Sequence, residues 1–299
     1  MTASEYEGHD AERWMPAAEL TEGPGGLALL RLTTAGGVGE VFLNGAHLAS
    51  WTPRGHHPVL WMSDRSRFTD GLPLRGGVPI CFPWFNRHSE HPDAPQHGFA
   101  RIQPWALDDV AEHDGSIRAM FRLTDSGLSR ASIWPHRFEA LYTVTLGEEL
   151  CLELEVENRD ELEFGFEAAL HSYYAVGDVR MTRVHGLTGL EFSTEGSSVA
   201  RENSPVKIGA GISRRYPVAT SARIEDVANN RAITISSEGA SGAVLWNPGP
   251  AEASAMPDFA DDGWSKMLCF ENCNIGGAMI RLEPGARHRM RTLVSVSRL

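Results

Sequence analysis

Polar and apolar positions alternate along this chain with a period of two, in short runs. Within 150–157, Leu150, Leu152, Leu154 and Val156 fall on one face and Glu153, Glu155 and Glu157 on the other, the pattern of a strand with one buried and one solvated side. Runs rich in β-branched, aromatic or alternating residues over 117–123, 141–146, 232–236, 243–246, 278–282 and 289–296 each predict a strand. Helical periodicity is nearly absent. The 30 glycines and 17 prolines punctuate the runs about as often as hairpin and Greek-key connections require. No fixed-period repeat, low-complexity tract or linker interrupts them. The pattern predicts an all-β fold, a large antiparallel β-sandwich, as a single domain over 25–299. The first 24 residues, rich in Glu, Gly and Ala, read as a loosely attached leader, and one short helix is expected near 257–264.

A compact chain of 299 residues buries roughly 75% of its unfolded surface, enough for a large core without disulfides or metals. Lys and Arg number 27 against 39 Asp and Glu, a formal charge of −12, and no run of basic residues stands out. That excludes nucleic acid as a partner and an anionic membrane as a docking surface. The N-terminal stretch lacks a basic segment followed by an apolar one, so no signal peptide is expected, and no apolar run approaches the roughly 20 residues of a membrane span. A cytoplasmic protein is the expectation. Cys81, Cys151, Cys269 and Cys273 are too scattered for a disulfide framework. Cys269 and Cys273 lack the close spacing and the two further ligands of a zinc site.

Three places carry polar residues that a core does not favour. In Pro73-Leu-Arg-Gly-Gly-Val-Pro-Ile-Cys-Phe-Pro-Trp-Phe85, Arg75 precedes a Gly-Gly pair. It reads either as a clamp for an anion or, as composition alone favours, as a loop arginine on an aromatic surface. In Gln96-His-Gly-Phe-Ala-Arg101, an amide, an imidazole and a guanidinium cluster around a glycine, as a ligand-lining loop or a solvated one. The histidines leading into it match neither a zinc finger nor an HExxH helix, so no metal is expected there. The third place is a pair. Alternation in 164–174 sets Glu167, Ala169, His171 and Tyr173 opposite the apolar face, and Glu271 stands inside the apolar run 266–274, sharing a face with Cys269 and Cys273. A carboxylate there is structurally paired or poised for chemistry, and with His171 it could form a general acid and base.

The stretches LRGGVPICFPWF from Leu74, QHGFAR from Gln96, LHSYY from Leu170, VLWNP from Val244 and MPDFADDGWSKMLCFENC from Met256 together resemble the glucose-6-phosphate 1-epimerase branch of the aldose 1-epimerase superfamily. They occur in the family's order and span most of the chain. The resemblance implies a galactose-mutarotase-like fold, a large twisted β-sandwich with few short helices, whose concave face holds a sugar. It implies interconversion of the α and β anomers of an aldose without metal or organic cofactor; separately, a monomer or homodimer is the expectation. His171 matches the family's general acid and Glu271 its general base, while Arg75, Gln96 and Arg101 match residues that hold the substrate. His97 lies in the same motif, and the arginines suit a 6-phosphate. An acid and a base are what ring opening needs, since one takes the O1 proton while the other protonates O5. Mutual attraction is expected to keep Glu271 ionised and His171 protonated.

One stretch departs from the family pattern. Where relatives carry an Asp that holds sugar hydroxyls, this chain has Ala222, with Glu225 and Asp226 close behind as replacements. Three competing readings follow: an epimerase of unphosphorylated sugars, a non-catalytic sugar binder on the same fold, and a polymer cleft stacked on Trp51, Trp61, Trp84 and Trp246.

Overall fold

The computed structural model describes residues 17–194 and 199–299. As the alternation predicts, strands dominate. A nine-stranded antiparallel sheet runs Val206–Lys207, Thr182–His185, Ala222–Asp226, Arg231–Glu238, Arg287–Arg298, Leu150–Asn158, Phe138–Leu146, Ser116–Thr124, Ala106–His113. Opposite it lies a six-stranded sheet in the order Ile212–Tyr216, Gly242–Asn247, Met267–Asn274, Ala168–Leu170, Ile80–Cys81, with Tyr173–Ala175 also paired to Met267–Asn274. A four-stranded sheet, Ala18–Glu22 to His47–Pro53, completes the main layers.

The pleat decides what meets in the middle. Along 150–156 the leucines and Val156 are buried while the intervening side chains are half-buried, as the period of two requires. In the six-stranded sheet Ala168, Leu170, Ala243, Leu245, Leu268 and Phe270 join Phe121, Tyr142, Leu152 and Leu154 of the nine-stranded sheet in one core. Polar contacts also tie the layers, for Asn272 Nδ2 donates to Thr292 Oγ1 at 2.9 Å in the buried interior. The reverse face of the six-stranded sheet therefore carries Val244, Trp246, Cys269, Glu271 and Cys273, and a strand buried on both sides reads as an unbroken apolar run.

The structure differs from the pattern in three places. Residues 1–16 of the expected leader lie outside the described residues, but Ala18–Glu22 is a strand in register with Ala28–Thr33, from Ala18 opposite Leu32 to Glu22 opposite Ala28. Its backbone is satisfied by that partner, a tertiary pairing that local composition does not announce. The expected helix near 257–264 is displaced to Gly249–Ala255. Met256, extended ahead of Pro257, ends it, because the residue before a proline avoids the helical region. Within 278–282, a 3-10 turn over Gly276–Ala278 leaves only Ile280–Leu282 as strand. Among the described residues no helix is long and apolar enough to cross a membrane.

Candidate active site

Strand register builds the floor of the site. Leu170 pairs with Asn272 and Tyr173 with Cys269, so His171 is held across from Glu271. Val244 pairs with both Glu271 and Arg215, and Trp246 with both Cys269 and Ser213. Two parallel rows therefore cross the sheet on its outer face: Arg215, Val244, Glu271, His171 and, beside it, Ser213, Trp246, Cys269, Tyr173. Side chains directly opposite on antiparallel strands are close enough to interact, and His171 Nε2 is 3.4 Å from Glu271 Oε1. The Tyr173 ring stacks on His171 at 4.8 Å, nearly parallel at 10°.

Loops supply the walls. Gly76 and Gly77 have φ of 115° and 58°, the left-handed region that glycine tolerates. A Cβ on Gly76 would meet the Trp61 carbonyl oxygen at 2.4 Å, and one on Gly77 the Leu48 oxygen at 2.3 Å. The Gly-Gly pair thus lets the chain pass through and delivers Arg75, whose guanidinium donates to Asp258 Oδ2 at 3.2 Å and to the Tyr173 hydroxyl at 3.1 Å. The loop-arginine reading on composition is replaced by a partly buried ion pair. In the second loop Gly98 (φ 76°) lies against Phe82, where a Cβ would come 2.0 Å from its carbonyl oxygen. His97 Nδ1 accepts from the Asn86 backbone N–H at 3.1 Å, which leaves the proton of the neutral ring on Nε2. Arg101 Nη2 donates to the Gln96 carbonyl at 2.6 Å.

These groups converge on one cavity of about 810 Å³. All six residues singled out in the sequence line it: Arg75, Gln96, His97, Arg101, His171 and Glu271. Trp246 lines it too, and so do Tyr173, Arg215 and Asp258, which were not singled out as site residues. Asp258 sits inside the quoted MPDFADDGW stretch and Tyr173 two residues beyond His171, so the signal was present for both. Arg215 becomes visible only through its register with Val244. Four buried polar atoms on residues lining this cavity have no hydrogen-bond partner: Arg101 Nε, His171 Nδ1, Asp258 Oδ1 and Glu271 Oε2. Unpaired buried polar atoms are costly, and four around one cavity mark a place built to receive a polar ligand.

Burial governs the protonation of the pair. It pushes Glu271 well above the ordinary carboxylate range, with Arg215 opposing. It lowers His171 to about 3, and the charges of Arg101 and Arg75 add to that. The expected ion pair is therefore corrected: burial of both groups outweighs their attraction, and the resting pair is neutral, sharing one proton carried by Glu271. His97 is likewise held neutral, by burial first and by Arg101 next.

Two further expectations fail on geometry. Ala222 is buried in the core between the sheets, and neither Glu225 nor Asp226 reaches the cavity. Glu225 meets His185 Nε2 at 2.6 Å, and Asp226 Oδ2 accepts from Arg231 Nε at 3.0 Å. Asp258, by contrast, lines the cavity with an unpartnered oxygen. The tryptophan platform also dissolves. Trp51 and Trp84 are buried, their indole N–H groups donating to the backbone of Gly147 and Pro95. Trp61 packs on Tyr173 and Phe259, and of the four only Trp246 lines the cavity.

A family model described as aldose 1-epimerase matches residues 29–295. A provisionally named glucose-6-phosphate 1-epimerase of Salmonella typhimurium is 38% identical over 233 residues, 77% of each chain. A crystal structure of a provisionally named mutarotase from Salmonella typhimurium superposes with a TM-score of 0.89 at 31% identity, covering 96% of both chains. A galactose mutarotase-like protein of Clostridium acetobutylicum shares the fold, with a TM-score of 0.71 at 13% identity over 94% of this chain and 98% of that one. With its galactose mutarotase-like sandwich and a family match over most of its length, this isomerase-type enzyme belongs to the aldose 1-epimerase family.

Proposed function

We propose that the protein interconverts the α and β anomers of an aldohexose 6-phosphate, glucose 6-phosphate foremost, with His171 and Glu271 as the acid–base pair. The observation that carries the reading is the pair itself, Nε2 to Oε1 at 3.4 Å, on the floor of a cavity also lined by Arg75, Arg101 and Arg215. Ring opening needs an ionised base and a protonated acid. Glu271 takes the O1 proton, the C1–O5 bond breaks as the C1=O1 bond forms, and His171 gives its proton to O5. The product protonation state is Glu271 acid with neutral His171, the state burial favours in the free enzyme. Rotation about C1–C2 and closure on the other carbonyl face run the same transfers backward.

The free enzyme thus rests in the form suited to ring closure, and opening requires one proton to pass from Glu271 to His171. A phosphate supplies the incentive. Burial first, and then Arg101 and Arg75, hold His171 neutral, and a dianion beside the arginines offsets their charge and favours imidazolium. On this reading the 6-phosphate is an electrostatic cofactor for the pair as well as an anchor. Asp258 Oδ1 accepts from a sugar hydroxyl, the part assigned in relatives to the residue replaced by Ala222.

The test is anomer exchange followed by NMR on glucose, galactose and mannose, each with and without the 6-phosphate. Exchange at least tenfold faster on a phosphorylated sugar than on its parent supports the reading. Equal rates on glucose and glucose 6-phosphate favour an epimerase of free sugars, and binding without exchange favours a sugar-binding protein.

A further inference from the structure

The acid–base pair has a third donor beside it that the proposed reaction does not use. Cys269 stands two residues before Glu271 on the same face of Met267–Asn274, across from Tyr173. The donor atoms of His171, Cys269 and Glu271 all lie within 4.8 Å of one another, and all three side chains are buried. Tetrahedral zinc, with bonds of about 2.0 to 2.3 Å to N, O and S, sets its donors about 3.5 Å apart, so modest side-chain shifts close the triangle. Glu271 Oε2 is buried and without a hydrogen-bond partner, an acceptor already stripped of water. His171 and Glu271 open onto the cavity, which leaves the fourth position facing the space that a sugar fills. The other cysteines do not complete such a set. Cys81 and Cys273 sit in a separate apolar cluster with Ala169 and Val244, and Cys151 accepts from Arg291 Nε at 3.1 Å in the other sheet.

We propose that His171 Nε2, Cys269 Sγ and a Glu271 oxygen form a binding site for a thiophilic divalent cation of the zinc type, and that its occupancy switches turnover off. The arginines of the cavity do not forbid it, because the charge balances. Free, the pair and the thiol are neutral and hold two protons. Bound, Zn²⁺ faces one thiolate and one carboxylate, again neutral, and two protons leave to solvent. Burial pushes both acids up, and Glu271 adds to the rise at the Cys269 thiol, while Arg75 opposes it at the thiol and Arg215 at the carboxyl. The cation is an inhibitor, since it ties up the lone pairs through which His171 and Glu271 move protons and occupies the ground where O1 and O5 must sit. The binding half stands on the geometry alone, and the inhibition half rests on the mutarotase reading.

The experiment titrates the purified protein with Co²⁺, whose thiolate bond gives a near-ultraviolet charge-transfer band, and follows anomer exchange of glucose 6-phosphate against Zn²⁺ in parallel. One equivalent of Co²⁺ is expected to give the band, Zn²⁺ to displace it, and Cys269→Ala to abolish it while Cys81→Ala keeps it. Half-inhibition by Zn²⁺ is expected to rise at least tenfold in Cys269→Ala with exchange in metal-free buffer retained. Should Cys269→Ala not fold, Cys269→Ser is read in its place. No band, or a band that survives loss of the Cys269 thiol, overturns the site. A band with Zn²⁺-insensitive exchange overturns the switch, whereas a band in a protein that never accelerates exchange leaves the site standing and fails the mutarotase reading instead.

Discussion

Two buried acid–base pairs in this molecule are built to opposite specifications. In one, Asp226 accepts from Arg231 Nε at 3.0 Å, from Asn229 Nδ2 at 2.8 Å and from the Gly177 N–H at 3.0 Å. Arg231 spends its remaining donors on the carbonyls of His57, Pro58 and Ala175 at 2.7 to 3.0 Å. Every guanidinium nitrogen and both carboxylate oxygens have a fixed partner, which is how a buried charge becomes tolerable. In the other, His171 and Glu271 approach only to 3.4 Å, Glu271 keeps an unpartnered oxygen, and the flanking arginines oppose the charge on the histidine. The first pair fastens the loop at 57–58 and the end of Tyr173–Ala175 to the nine-stranded sheet. The second holds a proton that can be moved, and what it lacks in satisfaction is what a substrate supplies.

Substitutions should therefore separate the two. Glu271→Gln is expected to lower the exchange rate by about 10²- to 10⁴-fold with melting temperature unchanged or raised, since it replaces a buried acid by a neutral amide. A destabilised but active variant would break the contrast. Arg231→Met should do the reverse, costing about 3–5 kcal/mol in denaturant unfolding because Asp226 is left buried and unpaired, while exchange per folded molecule persists. Arg101→Ala removes a charged contact of about 1.5–3 kcal/mol, read as a KM for glucose 6-phosphate raised roughly 10- to 100-fold with little change on glucose. A titration of ¹³C-labelled histidine by NMR sharpens the protonation claim. Because the folded value of His171 is lowered to about 3, its ring should stay neutral from pH 8 down to 5. The stability tied to that neutral ring is lost as pH falls from the unfolded value near 6.5 toward 3; an inflection at 6.5 in the folded protein would contradict the neutral resting pair. The smallest effect is expected from Glu225→Gln, with turnover and sugar preference unchanged, since that carboxylate meets His185 and is remote from the cavity.

The contrast also explains which parts were legible in the sequence. Five consecutive strands of the nine-stranded sheet, from Arg231–Glu238 to Ser116–Thr124, were, because one face is solvated and the period of two shows through, as in 150–157, whereas the four at its ends were not. The six-stranded sheet hides its period: Met267–Asn274 is buried on both faces, and only the intrusion of Glu271 into an apolar run betrayed the site. His171 was readable on the same ground, and the glycines beside Arg75 and Arg101 announced the close passage that the loops require. Arg215 and Asp258 were not singled out, since an arginine in an alternating strand and an Asp among several look solvated until register and loop closure carry them to the cavity. The strand Ala18–Glu22 was missed because its stability comes from its partner. The protonation state was misjudged because attraction can be argued from residue types, whereas burial cannot.

The most direct test is anomer exchange on freshly dissolved α-glucose 6-phosphate, compared among buffer, the wild-type protein and Glu271→Gln. The account predicts strong acceleration by the wild type and its collapse by at least a hundredfold in a variant that melts no lower. Acceleration that survives Glu271→Gln, or none in the wild type, would contradict it.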